Sequence, residues 1–258
     1  MPFDVRRPPL SRARLWAAAL WLGALLALLP LCPAPAAEFT PEQKKAIEAI
    51  IRDYLANNPE MLLDALQAAE DKLKSESKDK AAQALSARRR EVLDDPETPV
   101  GGNPKGDVSL VEFFDYRCPY CKQVEPALEA LLGQDKQLRF VYKELPVLGA
   151  DSITASRAAL AARKQGKYDA LHRALMGTKG QLDEPTVLKV AQSAGLDSDR
   201  LKRDMAAPEI DRALKANAAL AEALDIRGTP AFVVGDDIVP GAIDLGTLKA
   251  LIAAARQK

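Results

Sequence analysis

The chain has 258 residues, enough for one or two domains with cores of their own, and its 36 basic residues balance 36 acidic ones. A charge balance of zero leaves no electrostatic footprint for nucleic acid.

Taken in order, the sequence begins as an export signal. Arg6, Arg7, Arg12 and Arg14 form a basic head, and Leu15 to Leu29 is an apolar run too short to suit a membrane-spanning helix. Ala34-Pro35-Ala36 has the small-x-small pattern of a cleavage site, so the mature chain is expected to start at Ala37 or Glu38. Leu29-Pro30-Leu31 ahead of Cys32 lacks the small residues of a lipid-attachment box. Cleavage near Ala36 or Ala37 removes four arginines and one aspartate, leaving 32 basic residues against 35 acidic, together with Cys32. The two remaining cysteines, Cys118 and Cys121, are then the only ones, so no structural disulfide can form elsewhere in a subunit. With His172 as the sole histidine, no four-ligand zinc site can be assembled either. The expected compartment is oxidising, a bacterial periplasm.

Residues 37 to 92 read as a helical stalk and connector. Thr40-Pro41-Glu42-Gln43 is a capping box with proline at the first helical position, and Asn58-Pro59-Glu60 restarts a helix after Asn57. Ile47, Ile51 and Tyr54, then Leu62, Leu66, Ala69 and Leu73, are spaced three and four apart, which predicts a heptad seam and a homo-oligomer, trimer or dimer, through residues 38–75. The competing reading folds this amphipathic pair onto its own catalytic domain. From Glu70 to Glu91 charge dominates, which predicts a solvated helix or flexible connector.

Asp94 to Pro104 is rich in turn formers and marks a boundary. Val108 to Phe114 is a β-branched and aromatic run without a breaker, as in a strand buried on both faces. Asp115 to Arg117 leave the strand, and Pro119 suits the first position of a helix, which makes Cys118 the N-cap. The Cys118 sulfur is then expected to face the free N–H groups of Tyr120 and Cys121 at the positive end of the helix dipole. That position favours the thiolate, the reactive form of cysteine. Cys121, one turn along and more buried, can close a disulfide with it.

The active-site helix is expected to run to about Leu132, followed by a strand over Leu138 to Lys143 parallel to the first. Asp151 to Asp225 is helical throughout and, punctuated by Gly166, Gly177, Gly180, Gly195 and Pro208, predicts about four short helices. Ala231 to Val234 and Ile238 to Pro240 form a hairpin around Gly235-Asp236-Asp237, and Asp244 caps a last helix through Ala255. His172 falls within a helical run and reads as an ordinary helix residue.

At Cys118-Pro119-Tyr120-Cys121 and the flanking Glu112-Phe113-Phe114-Asp115-Tyr116, the sequence resembles the DsbA-like branch of the thioredoxin superfamily from about Pro99 to the C-terminus. Within that branch it is similar to the suppressor-of-copper-sensitivity C proteins, secreted thiol–disulfide exchange proteins with a CPYC site behind a helical extension. The resemblance implies an α/β thioredoxin fold over residues 93–258, with a helical domain inserted at about 150–225, in a chain whose residues 1–36 read as the signal peptide. It implies a catalytic set of Cys118, Pro119, Tyr120 and Cys121, with no cofactor beyond the redox-active disulfide of the two cysteines. It also implies that Thr229-Pro230 is a cis-proline loop facing the motif, whose backbone pairs with an extended client peptide. Glu112 and Lys143 match charged residues that the family carries beneath its site. Glu112, in an otherwise apolar strand, is expected to be buried and paired with Lys143, either as proton acceptor for Cys121 or as a structural ion pair.

Two residues depart from the strongest oxidases of the family. Threonine stands before the proline in place of valine, and Tyr120 stands where those enzymes have a histidine, so it cannot add a positive charge. The expected function is isomerising or reducing disulfides in client proteins through a mixed disulfide at Cys118, recharged by a membrane redox partner. The alternatives are a monomeric dithiol oxidase of the same fold and, from another class, a copper-binding or chaperone protein.

Overall fold

The computed structural model describes residues 39–257, in two compact units that divide after Leu66. The export signal and its cleavage site lie outside the described residues.

In the first unit, helix α1 (Pro41–Asn57) starts on the expected capping box. The Thr40 hydroxyl accepts from the Gln43 N–H at 3.2 Å, and the Gln43 side chain accepts from the Thr40 N–H at 2.9 Å. At the other end the Asn57 and Asn58 amides donate to the carbonyls of Asp53 and Tyr54, using carbonyls that a helix end leaves without partners. Helix α2 (Pro59–Ala87) begins immediately afterwards and crosses the unit boundary. No residue of α1 is buried, and Ile51, Tyr54, Leu62 and Leu66 are each about half exposed.

In the second unit the charged stretch is helical through Ala87, and its last turns belong to a core. Ala81 and Leu85, four apart on one side of α2, are buried, as is Val92 of the short helix α3 (Arg89–Leu93). Of the two readings of this stretch, solvated helix or flexible connector, the structure has the helix, with its last turns buried because their sparse apolar residues fall at helical spacing and have a sheet to cover.

That sheet has five strands in the order β1-β3-β2-β4-β5: β1 (Val100–Gly102), β2 (Val108–Phe114), β3 (Leu138–Glu144), β4 (Ala231–Val234) and β5 (Asp237–Pro240). β2 and β3 are parallel, with Leu110 opposite Phe140, and the other pairs are antiparallel. Between β2 and β3 runs helix α4 (Pro119–Gln134), which continues past Gly133 to Gln134. Because side chains alternate across a strand, the sheet feeds two cores. Leu110, Phe114, Phe140, Tyr142, Phe232 and Val234 join one core with Cys121, Val124, Leu128 and Leu131 of α4. Val111, Phe113, Val141, Ala231 and Val233 join the other with Leu85 and Val92. Each large apolar side chain so buried contributes roughly 1.5–3 kcal/mol, which is why β2 lacks the polar alternation of a one-sided strand.

Between β3 and β4 lie five helices rather than about four: α5 (Ala150–Ala162), α6 (Tyr168–Gly177), α7 (Glu184–Ser193), α8 (Ser198–Asp204) and α9 (Pro208–Ala223), with one 3-10 turn at Arg163–Gln165. Asp183 and Asp197 cap α7 and α8. Leu220 and Ala221 of α9 return to the second core. The β4–β5 hairpin turns at Gly235, whose φ of 62° is where glycine is least strained, and Asp244 caps α10 (Leu245–Arg256). The architecture is a thioredoxin-like α/β fold with a mixed sheet and a helical insertion.

Candidate active site

The strand-to-helix junction after β2 holds the motif. Cys118 is the N-cap of α4 in an extended conformation and Pro119 occupies the first turn. Asp115 fixes the approach: its carbonyl accepts from the Cys118 N–H at 3.0 Å. Its fully buried carboxylate accepts from the Arg117 N–H at 2.7 Å, the Ser152 hydroxyl at 2.8 Å, and the Val147 and Leu148 N–H groups at 2.8 and 3.0 Å. Four donors on one carboxylate offset the cost of burying it and tie three segments together at the motif.

Cys118 and Cys121 are free thiols, and both are buried, Cys118 at 4% exposure and Cys121 at 0%. The Cys118 sulfur does not cap the helix as expected; it donates to the Thr229 carbonyl at 3.2 Å. A protonated sulfur is a weak donor and turns to a carbonyl, whereas helix N–H groups suit the thiolate. The Thr229–Pro230 peptide bond is cis, and this loop stands directly across from Cys118. Tyr120, between the cysteines, is well exposed. Burial, then the charge of Glu112, pushes the Cys121 thiol far above the ordinary range.

Glu112 is fully buried, and neither carboxylate oxygen has a hydrogen-bond partner among the described residues. Burial raises its carboxyl well above the usual range, reinforced by the charges of Glu125, Cys118 and Glu144. Lys143 is not its partner, contrary to expectation. In the parallel register Glu112 lies opposite Tyr142, while Lys143 lies opposite Phe113 and faces the other core. There its ammonium donates to the Thr98 hydroxyl at 2.7 Å and the Glu91 carbonyl at 2.8 Å, with Asp95 at 3.5 Å. Lys143 thus leaves the catalytic set and fastens the chain between α3 and β1.

Sequence reasoning missed a second buried group. Glu144, at the end of β3, accepts from the hydroxyls of Tyr116 at 3.0 Å, Tyr168 at 2.8 Å and Ser156 at 2.7 Å. Burial pushes its carboxyl up to about 8, although the three hydroxyls pull the other way. The Tyr116 hydroxyl also lies 3.0 Å from Nδ1 of His172, whose Nε2 is 3.5 Å from Glu125 on α4. The available signals were Asp115 directly after a strand and Glu144 ending one. His172 gave none, because its partners Tyr116 and Glu125 lie far from it along the chain. Among the described residues no cluster of three or more His, Cys, Asp or Glu has a metal-binding arrangement, and no helix is long and apolar enough to cross a membrane.

Two cysteines at a helix start, facing a cis-proline loop on a thioredoxin-like sheet, define the class of thiol–disulfide oxidoreductases. The sequence matches the family model of the DSBA-like thioredoxin domain over residues 109–253 and that of the copper resistance protein ScsC N-terminal domain over residues 43–76. The chain belongs to the DsbA-like thioredoxin family, as an ScsC-like oxidoreductase. A thioredoxin-like oxidoreductase from Silicibacter pomeroyi is 48% identical, covering 66% of this chain and 98% of its own, with a TM-score of 0.65. Proteus mirabilis ScsC in a transitional conformation is 33% identical over 85% of this chain and 99% of its own, with a TM-score of 0.64. A curated Na(+)/H(+) antiporter, NhaA 3 of Salinispora tropica, is 29% identical over 182 residues, yet this chain spans only 28% of its length.

Proposed function

We propose that the protein isomerises or reduces disulfides in exported client proteins, as a homo-oligomer in the periplasm. Cys118 loses its proton to solvent and attacks the client disulfide as the thiolate. One client sulfur leaves as a thiolate, and the other stays joined to Cys118. To release the client, Cys121 gives up its proton and attacks the Cys118 sulfur. The Cys118–Cys121 bond forms as the mixed disulfide breaks, and the second client sulfur leaves as thiolate. Glu112 takes the Cys121 proton. The dithiol is then restored by a membrane redox partner. When client release instead occurs by attack of another client thiol, the client is reshuffled with no net change in its oxidation.

The contact between the Cys118 sulfur and the Thr229 carbonyl carries this reading, since it puts the helix-start cysteine against main chain on which an extended peptide can pair. Cys121 is the poorer nucleophile for a first attack, being fully buried with its thiol pushed far up. The exposed seam of Ile47, Ile51, Tyr54, Leu62, Leu66 and Leu73 supports the oligomer, because several sites held around one client raise the chance that a wrong bond is attacked again. The test is refolding of a scrambled multi-disulfide protein beside oxidation of a reduced one, with sedimentation of the mature chain. Isomerisation by an oligomer is expected. A monomer that only oxidises would give first place to the dithiol oxidase, and stoichiometric metal after reducing purification would favour the copper-binding reading.

A further inference from the structure

A groove of about 680 Å³ lies wholly within the second unit, on the side of the sheet away from α4. One wall is α2, through Lys74, Ser77, Lys78 and Ala81. The other is the segment from Leu224 to Gly228, with the start of β4 and with β5. Its floor is apolar: Ile226, Ala231 and Ile238 carry the second core up to the groove, and Ala81 is buried on the α2 side. The α2 wall stands outside residues 109–253, so the DSBA-like thioredoxin domain does not supply this groove by itself.

The groove adjoins the redox site. Gly228 lines it and directly precedes Thr229, whose carbonyl meets the Cys118 sulfur. Pro240 lines it as well, and the next residue, Gly241, donates to the Pro230 carbonyl at 2.8 Å. An extended chain advances about 3.3 Å per residue. One arm of a client held opposite Thr229 therefore reaches the groove within a few residues of its cysteine.

Its charge is one-sided. Asp225, the one acidic residue lining it, is taken up by Arg227 of the same wall and by the Ser77 hydroxyl of the other. Lys74 and Lys78 stand four apart on α2, a like-charge spacing that disfavours an isolated helix, and neither makes an ion pair among the described residues. The two lysines are thus the unbalanced charge of an otherwise apolar groove.

We propose that the groove takes the arm of the client next to the cysteine bound at Cys118, and that it selects arms combining apolar side chains with carboxylates. The inference rests on the reading of Cys118 as the residue that holds the client. Leu73 also lines the groove and belongs to the proposed seam, so a second copy of the chain is the competing occupant.

The test uses the reduced full chain and synthetic peptides of one length, each with a single cysteine carrying thionitrobenzoate. Attack by the Cys118 thiolate joins the peptide to Cys118 and releases the coloured thionitrobenzoate anion. A peptide with leucine and glutamate beside its cysteine should react about fivefold faster than one with leucine and lysine, the scale of two exposed ion pairs. The advantage should shrink with added salt, and also when serine replaces leucine. Lys74→Glu with Lys78→Glu should reverse the preference. Lys72→Glu with Lys80→Glu, the same charge change on residues that do not line the groove, should keep it. Thionitrobenzoate on cysteine alone should react equally with every variant.

Equal rates for the two peptides overturn the inference and leave the Cys118 reading in place. Equal effects of the two variants do the same, because they mark general steering by net charge. A variant that is slow even with cysteine alone would trace the change to the thiolate and also overturns it. Failure of every peptide to join Cys118 overturns both readings. If Lys74→Glu with Lys78→Glu dissociates the oligomer in sedimentation, the groove is an interface between copies and the client inference falls.

Discussion

Glu112 and Lys143 sit on neighbouring strands and face opposite sides of the sheet. Glu112 is buried beside the cysteines without a hydrogen-bond partner among the described residues, and Lys143 is buried behind them with three acceptors. Replacing the lysine therefore should not act on the chemistry. Lys143→Met is expected to lower stability by about 1–3 kcal/mol, because Thr98 and Asp95 lose their donor. The rate of exchange with a small disulfide reagent should stay within twofold. A tenfold loss of rate at unchanged stability would return Lys143 to the active site.

The two cysteines should separate cleanly. Cys121→Ala is expected to accumulate mixed disulfides with clients, visible on non-reducing gels, since the attack that releases the client is gone. Cys118→Ala should accumulate none. If iodoacetamide at mildly acidic pH labelled Cys121 ahead of Cys118, the assignment would be reversed.

Asp115 should matter more than its distance from the sulfurs suggests. In Asp115→Asn a single oxygen replaces the two that now serve four donors, so some of the Arg117, Val147, Leu148 and Ser152 donors lose an acceptor. A cost of about 1–3 kcal/mol is expected, together with a changed redox potential, because the carbonyl of the same residue holds the Cys118 N–H. Denaturant titration and glutathione equilibrium read the two effects, and a neutral substitution would show that the junction is held elsewhere.

Stability should fall as pH rises from about 5 to 8. The folded chain holds the protons of Glu144, up to about 8, and of Glu112 more tightly than the unfolded chain, where glutamate is near its ordinary 4.5. In that window the unfolded state binds fewer protons, so the stability these groups contribute is present below 4.5 and lost through the folded values. Glu144→Gln should flatten the slope by up to about 1 kcal/mol per pH unit. Denaturation midpoints at pH 5 and pH 8 decide it, and a slope equal in both proteins would mean Glu144 titrates normally.

Assembly is tested most directly within the first unit. Ile51→Asp with Leu62→Asp puts charge into the proposed seam, where neither side chain is buried in the single chain. The oligomer should dissociate and scrambled-disulfide isomerisation drop severalfold, while exchange with a small disulfide stays unchanged. Sedimentation showing an intact oligomer would place the interface elsewhere.

The strands and the motif were legible because they depend on neighbours in sequence. Val108 to Phe114, the N-cap at Cys118 and the capping box at Thr40 came out at their observed positions, each being a local contest of propensity and hydrogen bonds. What was not legible depends on register and on distant partners. The parallel pairing offsets Lys143 from Glu112 by one residue, enough to send it through the sheet. His172, Glu125, Tyr116 and Glu144 come from three separate elements and the turn after β2, and no spacing announces them.

The contact at Thr229 also makes one main-chain carbonyl an internal meter of the nucleophile. Its oxygen receives the Cys118 thiol proton at 3.2 Å. Alkylating or oxidising that sulfur takes the donor away, and deprotonating it turns the donor into an anion. A carbon-13 label confined to that single carbonyl would register each event as a shift, and would distinguish an idle dithiol from a site engaged with a client without any probe attached to the cysteines.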